Sequence, residues 1–164
     1  MKKITLLLTF FLLSFTSHAQ LALEGFETTT GPNPLPSTTW TLGTGNWAVF
    51  DNGVGTANRW EVNTANVCFG TQIAYVTREF IGQGNTSEDY LSTPLVTIPA
   101  NGELHFTTRT FSSGNQGTLF QIKVAPAAAS QTSPASYTLV QQWTEAELTA
   151  VYNVCEEKVV NLAA

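Results

Sequence analysis

Glu103-Leu104-His105-Phe106-Thr107-Thr108 is the stretch that decides the fold. Leu104, Phe106 and Thr108 recur at every second position, with Glu103, His105 and Thr107 between them. Successive side chains of an extended chain point to opposite faces, so this alternation makes a strand with one side toward a core and the other toward water. Outward from it, residues 20–164 are rich in Thr, Asn, Gly, Ser, Val and aromatics and poor in Lys and Glu, a composition suited to strands joined by turns. Further short strands are expected at 47–50, 59–62, 72–77, 90–98, 119–124, 137–143 and 158–162.

Turn residues separate these runs. Gly31-Pro32-Asn33-Pro34, Asp51-Asn52-Gly53, Gly82-Gln83-Gly84-Asn85, Pro99-Ala100-Asn101-Gly102 and Ser112-Ser113-Gly114-Asn115 all suit tight or positive-φ corners. Many short strands at such spacing predict a β-sandwich or barrel. Thr144 with Glu147 fits a capping box, so a brief helix over 146–151 is expected. The Ala, Ser, Thr and Pro of 125–135 read as a surface loop, and no internal repeat is visible.

The front end reads as a cleavable secretory signal over residues 1–19. Lys2 and Lys3 give a positive start, Ile4 to Phe15 is almost wholly apolar, and Ser17-His18-Ala19 supplies small residues before Gln20. A membrane-spanning helix needs about 20 apolar residues, and Ser14, Thr16, Ser17 and His18 interrupt this run. The remainder, 20–164, has the size of one domain, with an exported, extracellular or cell-surface location.

Seven Lys and Arg face twelve Asp and Glu, a formal net charge of −5, and loss of Lys2 and Lys3 removes two more positive charges. Nucleic-acid binders cluster basic residues to displace phosphate counterions. Arg59, Arg78, Arg109, Lys123 and Lys158 are instead scattered singly, so neither a nucleic acid nor an anionic membrane surface is an expected partner. Cys68 and Cys155 would meet an oxidising compartment. A bridge between them and two unpaired thiols are both open, because sequence does not say whether their Cα atoms approach.

Catalytic constellations are sparse. His105 is the one histidine outside the leader, so any Ser-His or Cys-His arrangement must use it, with Cys68 as the candidate thiol nucleophile. Its mid-strand position reads more simply as a satisfied surface histidine. Zinc needs His and Cys at ligand spacing, which is not found. Glu24 with Glu27, Glu88 with Asp89, and Glu156 with Glu157 are the candidate paired acids. Adjacent strand residues point apart, which argues against the last two pairs. No phosphate-cradling loop or dinucleotide fingerprint is present. A non-enzyme is expected.

Aromatic residues are more suggestive. Trp40, Trp47, Trp60 and Trp143 lie in or near turns, where rings stack on sugars or anchor a protein, although each also suits a core. Trp47 and Trp60 are the candidate ligand contacts. Glu27, Asp51 and Asp89 are candidate oxygen ligands for a structural Ca²⁺, a solvated acid or turn-former being the simpler reading of each. Asn85-Thr86-Ser87 matches the N-glycosylation acceptor pattern.

Order along the chain adds a resemblance. Glu24-Gly25-Phe26-Glu27, the Pro36-Ser37-Thr38-Thr39-Trp40 stretch, Trp47, Trp60, Ala74-Tyr75-Val76, Glu88-Asp89-Tyr90-Leu91-Ser92-Thr93-Pro94-Leu95 and Leu104-His105-Phe106 occur in sequence. Together they resemble the choice-of-anchor J or cleaved-adhesin domains of Bacteroidota surface proteins, which are MAM-like. Tyr90 stands where that family usually has Trp. The resemblance implies an all-β, jelly-roll-like antiparallel β-sandwich and a non-catalytic adhesion module for an extracellular glycan or surface protein. An accessory domain of a secreted peptidase or glycosidase and a structural spacer are the rival expectations. Family members continue past the strand resembled by Val159-Val160-Asn161-Leu162, so a sandwich incomplete at its carboxy-terminal side is expected.

Overall fold

A computed structural model describes residues 25–27, 47–55 and 60–162. The leader, Glu24, the Pro36-to-Trp40 stretch and Arg59 lie outside the described residues. The described residues are all-β in character: among them are eight strands, β1 Ala48–Asp51, β2 Glu61–Asn63, β3 Ile73–Tyr75, β4 Asp89–Ser92, β5 Glu103–Thr108, β6 Leu119–Val124, β7 Thr138–Thr144 and β8 Glu156–Asn161, with a 3₁₀ turn at Pro134–Ser136 and one helix, α1 Glu145–Leu148. The strands pair as four antiparallel two-stranded ladders, β1 with β4, β2 with β3, β5 with β8 and β6 with β7.

In β5, Leu104, Phe106 and Thr108 are half-buried while Glu103, His105 and Thr107 are exposed, as the alternation predicts. Leu104 lies opposite Val160 of β8, which is 5 % exposed. Several elements are shorter than expected. The strand expected over 90–98 ends at Ser92, because Pro94 has no N–H to donate to a ladder. Helix α1 starts on the capping box, in which the Thr144 N–H donates to Glu147 Oε2 at 2.8 Å. It stops at Leu148 rather than at 151, since the Ala150 and Val151 N–H groups turn to Glu156 Oε1 at 2.5 and 3.3 Å. The 99–102 corner closes with the Gly102 N–H on the Pro99 carbonyl at 2.8 Å.

Aromatic side chains join the ladders. Trp60, just before β2, Phe106 of β5, Phe120 of β6 and Trp143 of β7 form one cluster. Ring centroids are 5.4 Å apart for Phe106–Phe120 and 5.7 Å for Phe106–Trp143. Phe50, Tyr90 and Tyr137 form a second cluster, with Phe50 and Tyr90 stacked at 4.7 Å. Each such pair stabilises by about 0.5–1.5 kcal/mol beyond the area it buries. The Trp60 Nε1–H also donates to the Asp89 carbonyl at 3.1 Å, tying the first cluster to β4.

A disulfide joins Cys68 to Cys155, with Cα atoms 5.8 Å apart and a sequence separation of 87. It ties the turn after β2 to the segment leading into β8.

Candidate functional site

The sequence-predicted residues are mostly spent on structure. Trp47 is 8 % exposed and packs against Phe26 at 5.4 Å, so its ring belongs to the core. Trp60 is half-buried, with its edge on Phe120 and its N–H on Asp89. Glu27 accepts the Thr71 N–H at 2.8 Å, the Gln72 N–H at 3.4 Å and the Thr71 hydroxyl. The Thr71 hydroxyl and then its N–H hold the Glu27 carboxyl below the usual carboxylate range. Asp51 Oδ1 accepts the Gly53 N–H at 2.8 Å, and Asp51 stands opposite Asp89 across the β1–β4 ladder. The fold thus brings Asp51 and Asp89 side by side and commits Glu27 to the 71–72 backbone. Among the described residues no three His, Cys, Asp or Glu side chains converge on a point where a metal ion would sit.

The other chemical candidates are also engaged. Cys68 sits in the disulfide and carries no thiol for nucleophilic work. His105 lies between two carboxylates, Nδ1 at 3.1 Å from Glu157 and Nε2 at 3.1 Å from Glu103, and both hydrogen bonds raise its pKa. Glu88 accepts the Tyr90 hydroxyl and stands 3.8 Å from Lys123 Nζ. Burial, and then Glu88, pushes the Tyr90 phenol up to about 12. Glu156 pairs with Lys158 at 3.3 Å while Glu157 faces His105, so these adjacent acids diverge as strand geometry requires.

An open pocket of about 320 Å³ forms at the disulfide end, from segments far apart in sequence. Asn63 ends β2 and Asn66 follows in the turn; Tyr75 ends β3; Phe111 lies just after β5; Tyr152 and Asn153 come from the loop before β8. The Asn63 Oδ1 accepts the Ala65 N–H at 2.7 Å, which starts the turn. Asn66 and Asn153 have φ of 57° and 64°. Asn is among the few side chains that tolerate this left-handed region. Tyr75 and Phe111 meet edge to face at 5.7 Å and 73°.

Arg109 clasps the two walls. Its Nε and one terminal nitrogen donate to Asn153 Oδ1 at 3.0 and 2.5 Å, and the other donates to the Asn66 carbonyl at 3.0 Å. The guanidinium also lies over Phe111, 5.3 Å from the ring centroid. The Asn153 N–H donates to the Thr110 carbonyl at 3.1 Å, and the Thr110 and Thr149 hydroxyls are 2.6 Å apart. With the nearby disulfide, these contacts hold rings and amides in fixed relative positions. Among the described residues the lining carries no carboxylate, imidazole or thiol. It can stack on an apolar face and exchange hydrogen bonds, but it has no acid–base pair.

Sequence reasoning named no residue of this pocket as a site residue, and Tyr75 entered only as part of an expected strand. The Asn residues look like ordinary turn-formers, and Tyr and Phe look like strand residues. The one usable signal was the cysteine pair, since a Cys68–Cys155 bridge brings the turn after β2 to the loop before β8. Comparison with protein-family models, with curated proteins and with solved structures found no match to this chain.

Proposed function

We propose that the protein is an exported, non-catalytic binding module that recognises an extracellular glycan in the pocket between Asn63, Tyr75, Phe111 and Tyr152. The observation that carries this reading is the lining itself: among the described residues, three aromatic rings and three side-chain amides, with Arg109 bonded to the Asn153 amide and the Asn66 backbone carbonyl, and no carboxylate, imidazole or thiol. Rings that stack on sugar C–H faces, with a few fixed amides for the hydroxyls, are the chemistry a saccharide site needs. The signal-like leader and the disulfide agree with an extracellular setting. The proposed architecture is a jelly-roll-like β-sandwich of the choice-of-anchor J type. Phe106, reaching from one ladder to Phe120 and Trp143 of another, is the contact expected between stacked layers.

A glycan and protein array probed with the exported chain tests the proposal. Expected is retention on a set of glycans, lost in Tyr75→Ala and Tyr152→Ala variants that stay folded by circular dichroism. Retention on proteins alone would favour a protein-binding adhesin. A chain that binds nothing would favour a spacer, and glycoside or peptide turnover would favour an accessory role within an enzyme.

A further inference from the structure

We infer that the pocket selects a neutral saccharide unit carrying an acetamido group, an N-acetylhexosamine, over one bearing a hydroxyl or carboxylate at the same position. This deepens the glycan reading above and rests on it.

The direction in which the amides are spent carries the inference. Asn63 uses its Oδ1 on the Ala65 N–H, and Asn153 uses its Oδ1 on Arg109. Two donors fill the Asn153 Oδ1, so that side chain has left its Nδ2 group, which only donates, while Asn63 keeps its Nδ2 group and one lone pair on Oδ1. Among the described residues neither Nδ2 group donates to a protein acceptor, nor does either the Tyr75 or the Tyr152 hydroxyl. The unspent polar groups of the rim are therefore weighted toward donors, which match a carbonyl oxygen. The rings of Tyr75, Phe111 and Tyr152 beside them provide an apolar surface for a methyl group and a sugar face. An acetamido substituent joins a carbonyl acceptor to a methyl in one unit.

Charge separates this ligand from an acidic sugar. Arg109 spends three of its five N–H donors on Asn153 and Asn66 and lays its face over Phe111. A ligand carboxylate would find only the two N–H groups left over, because the fork of Nε and its neighbouring terminal nitrogen is already taken by Asn153. The chain as a whole is acidic, with a formal net charge of −5, which disfavours approach of an anionic glycan.

Titration calorimetry of the exported chain with three probes tests the assignment: the β-linked disaccharide of N-acetylglucosamine, the matching glucose disaccharide, and a glucuronate-containing disaccharide. The first should bind roughly tenfold more tightly than the second, the factor one added hydrogen bond supplies. Asn63→Asp and Asn153→Asp keep the internal acceptor and turn the donor into a carboxylate, so the turn and the Arg109 clasp survive. Each should erase most of that preference at unchanged thermal stability. Equal binding of the first two probes, lost in Tyr75→Ala, would overturn the acetamido assignment and leave the glycan reading standing. Preference for the glucuronate probe would overturn it likewise. Failure of all three to bind would overturn the inference, and the array experiment would then show whether the glycan reading falls with it.

Discussion

Replacing both Cys68 and Cys155 by Ser removes the one covalent tie between the two halves of the described chain. The residues are 87 apart in sequence, so the bridge closes a large loop in the unfolded protein. Chain-entropy reasoning for a loop of that size gives about 4–5 kcal/mol of stabilisation. Domains of this size have a total stability of about 5–15 kcal/mol, so the variant should sit close to its unfolding threshold. At about 2–4 °C per kcal/mol for a chain of this length, the midpoint of thermal unfolding should fall by roughly 8–20 °C. Urea titration followed by tryptophan fluorescence reads the same loss at constant temperature, and the freed unfolded chain should also give a steeper denaturant dependence. A loss below about 1 kcal/mol would refute the reasoning, because it would mean that the unfolded chain is already compact around these positions.

Other outcomes follow from named contacts. Phe120→Ala removes the ring shared by Trp60, Phe106 and Trp143 and should cost about 2–4 kcal/mol in urea unfolding. His105 should titrate above its ordinary 6.5 in an NMR titration of its ring protons, because Glu157 and then Glu103 hydrogen-bond its ring nitrogens. The stability it contributes is fully present below 6.5 and is lost as pH rises through the folded value, and Glu157→Gln should bring that folded value down. Arg109→Gln should weaken glycan binding by roughly tenfold or more, through loss of the clasp on Asn66 and Asn153, with a much smaller effect on thermal unfolding.

Period-two alternation located the strands because it reports a local property, the direction of successive side chains. Each of the eight segments expected to be extended overlaps an observed strand. Their ends were less legible, since they depend on where backbone donors go. Pro94 ends β4 by lacking one, and Glu156 ends α1 by capturing two. Pairing was not legible either, because β1 with β4 and β5 with β8 join segments separated by long stretches of chain. The site escaped for a related reason. Tryptophan draws attention as a sugar-stacking ring, but the same apolar area pulls it inward, and Trp47 is buried. The rings left at the open pocket are Tyr75, Phe111 and Tyr152, which no linear motif groups together.

Mapping amide and side-chain chemical shifts of the isotopically labelled chain during titration with a glycan recovered from the array tests the central claim most directly. The account predicts that the largest changes cluster at Asn63, Asn66, Tyr75, Phe111, Tyr152 and Asn153, while Trp47 stays still. Changes centred on Trp60, or on the β5–β8 surface around His105, with those six residues unmoved, would contradict it.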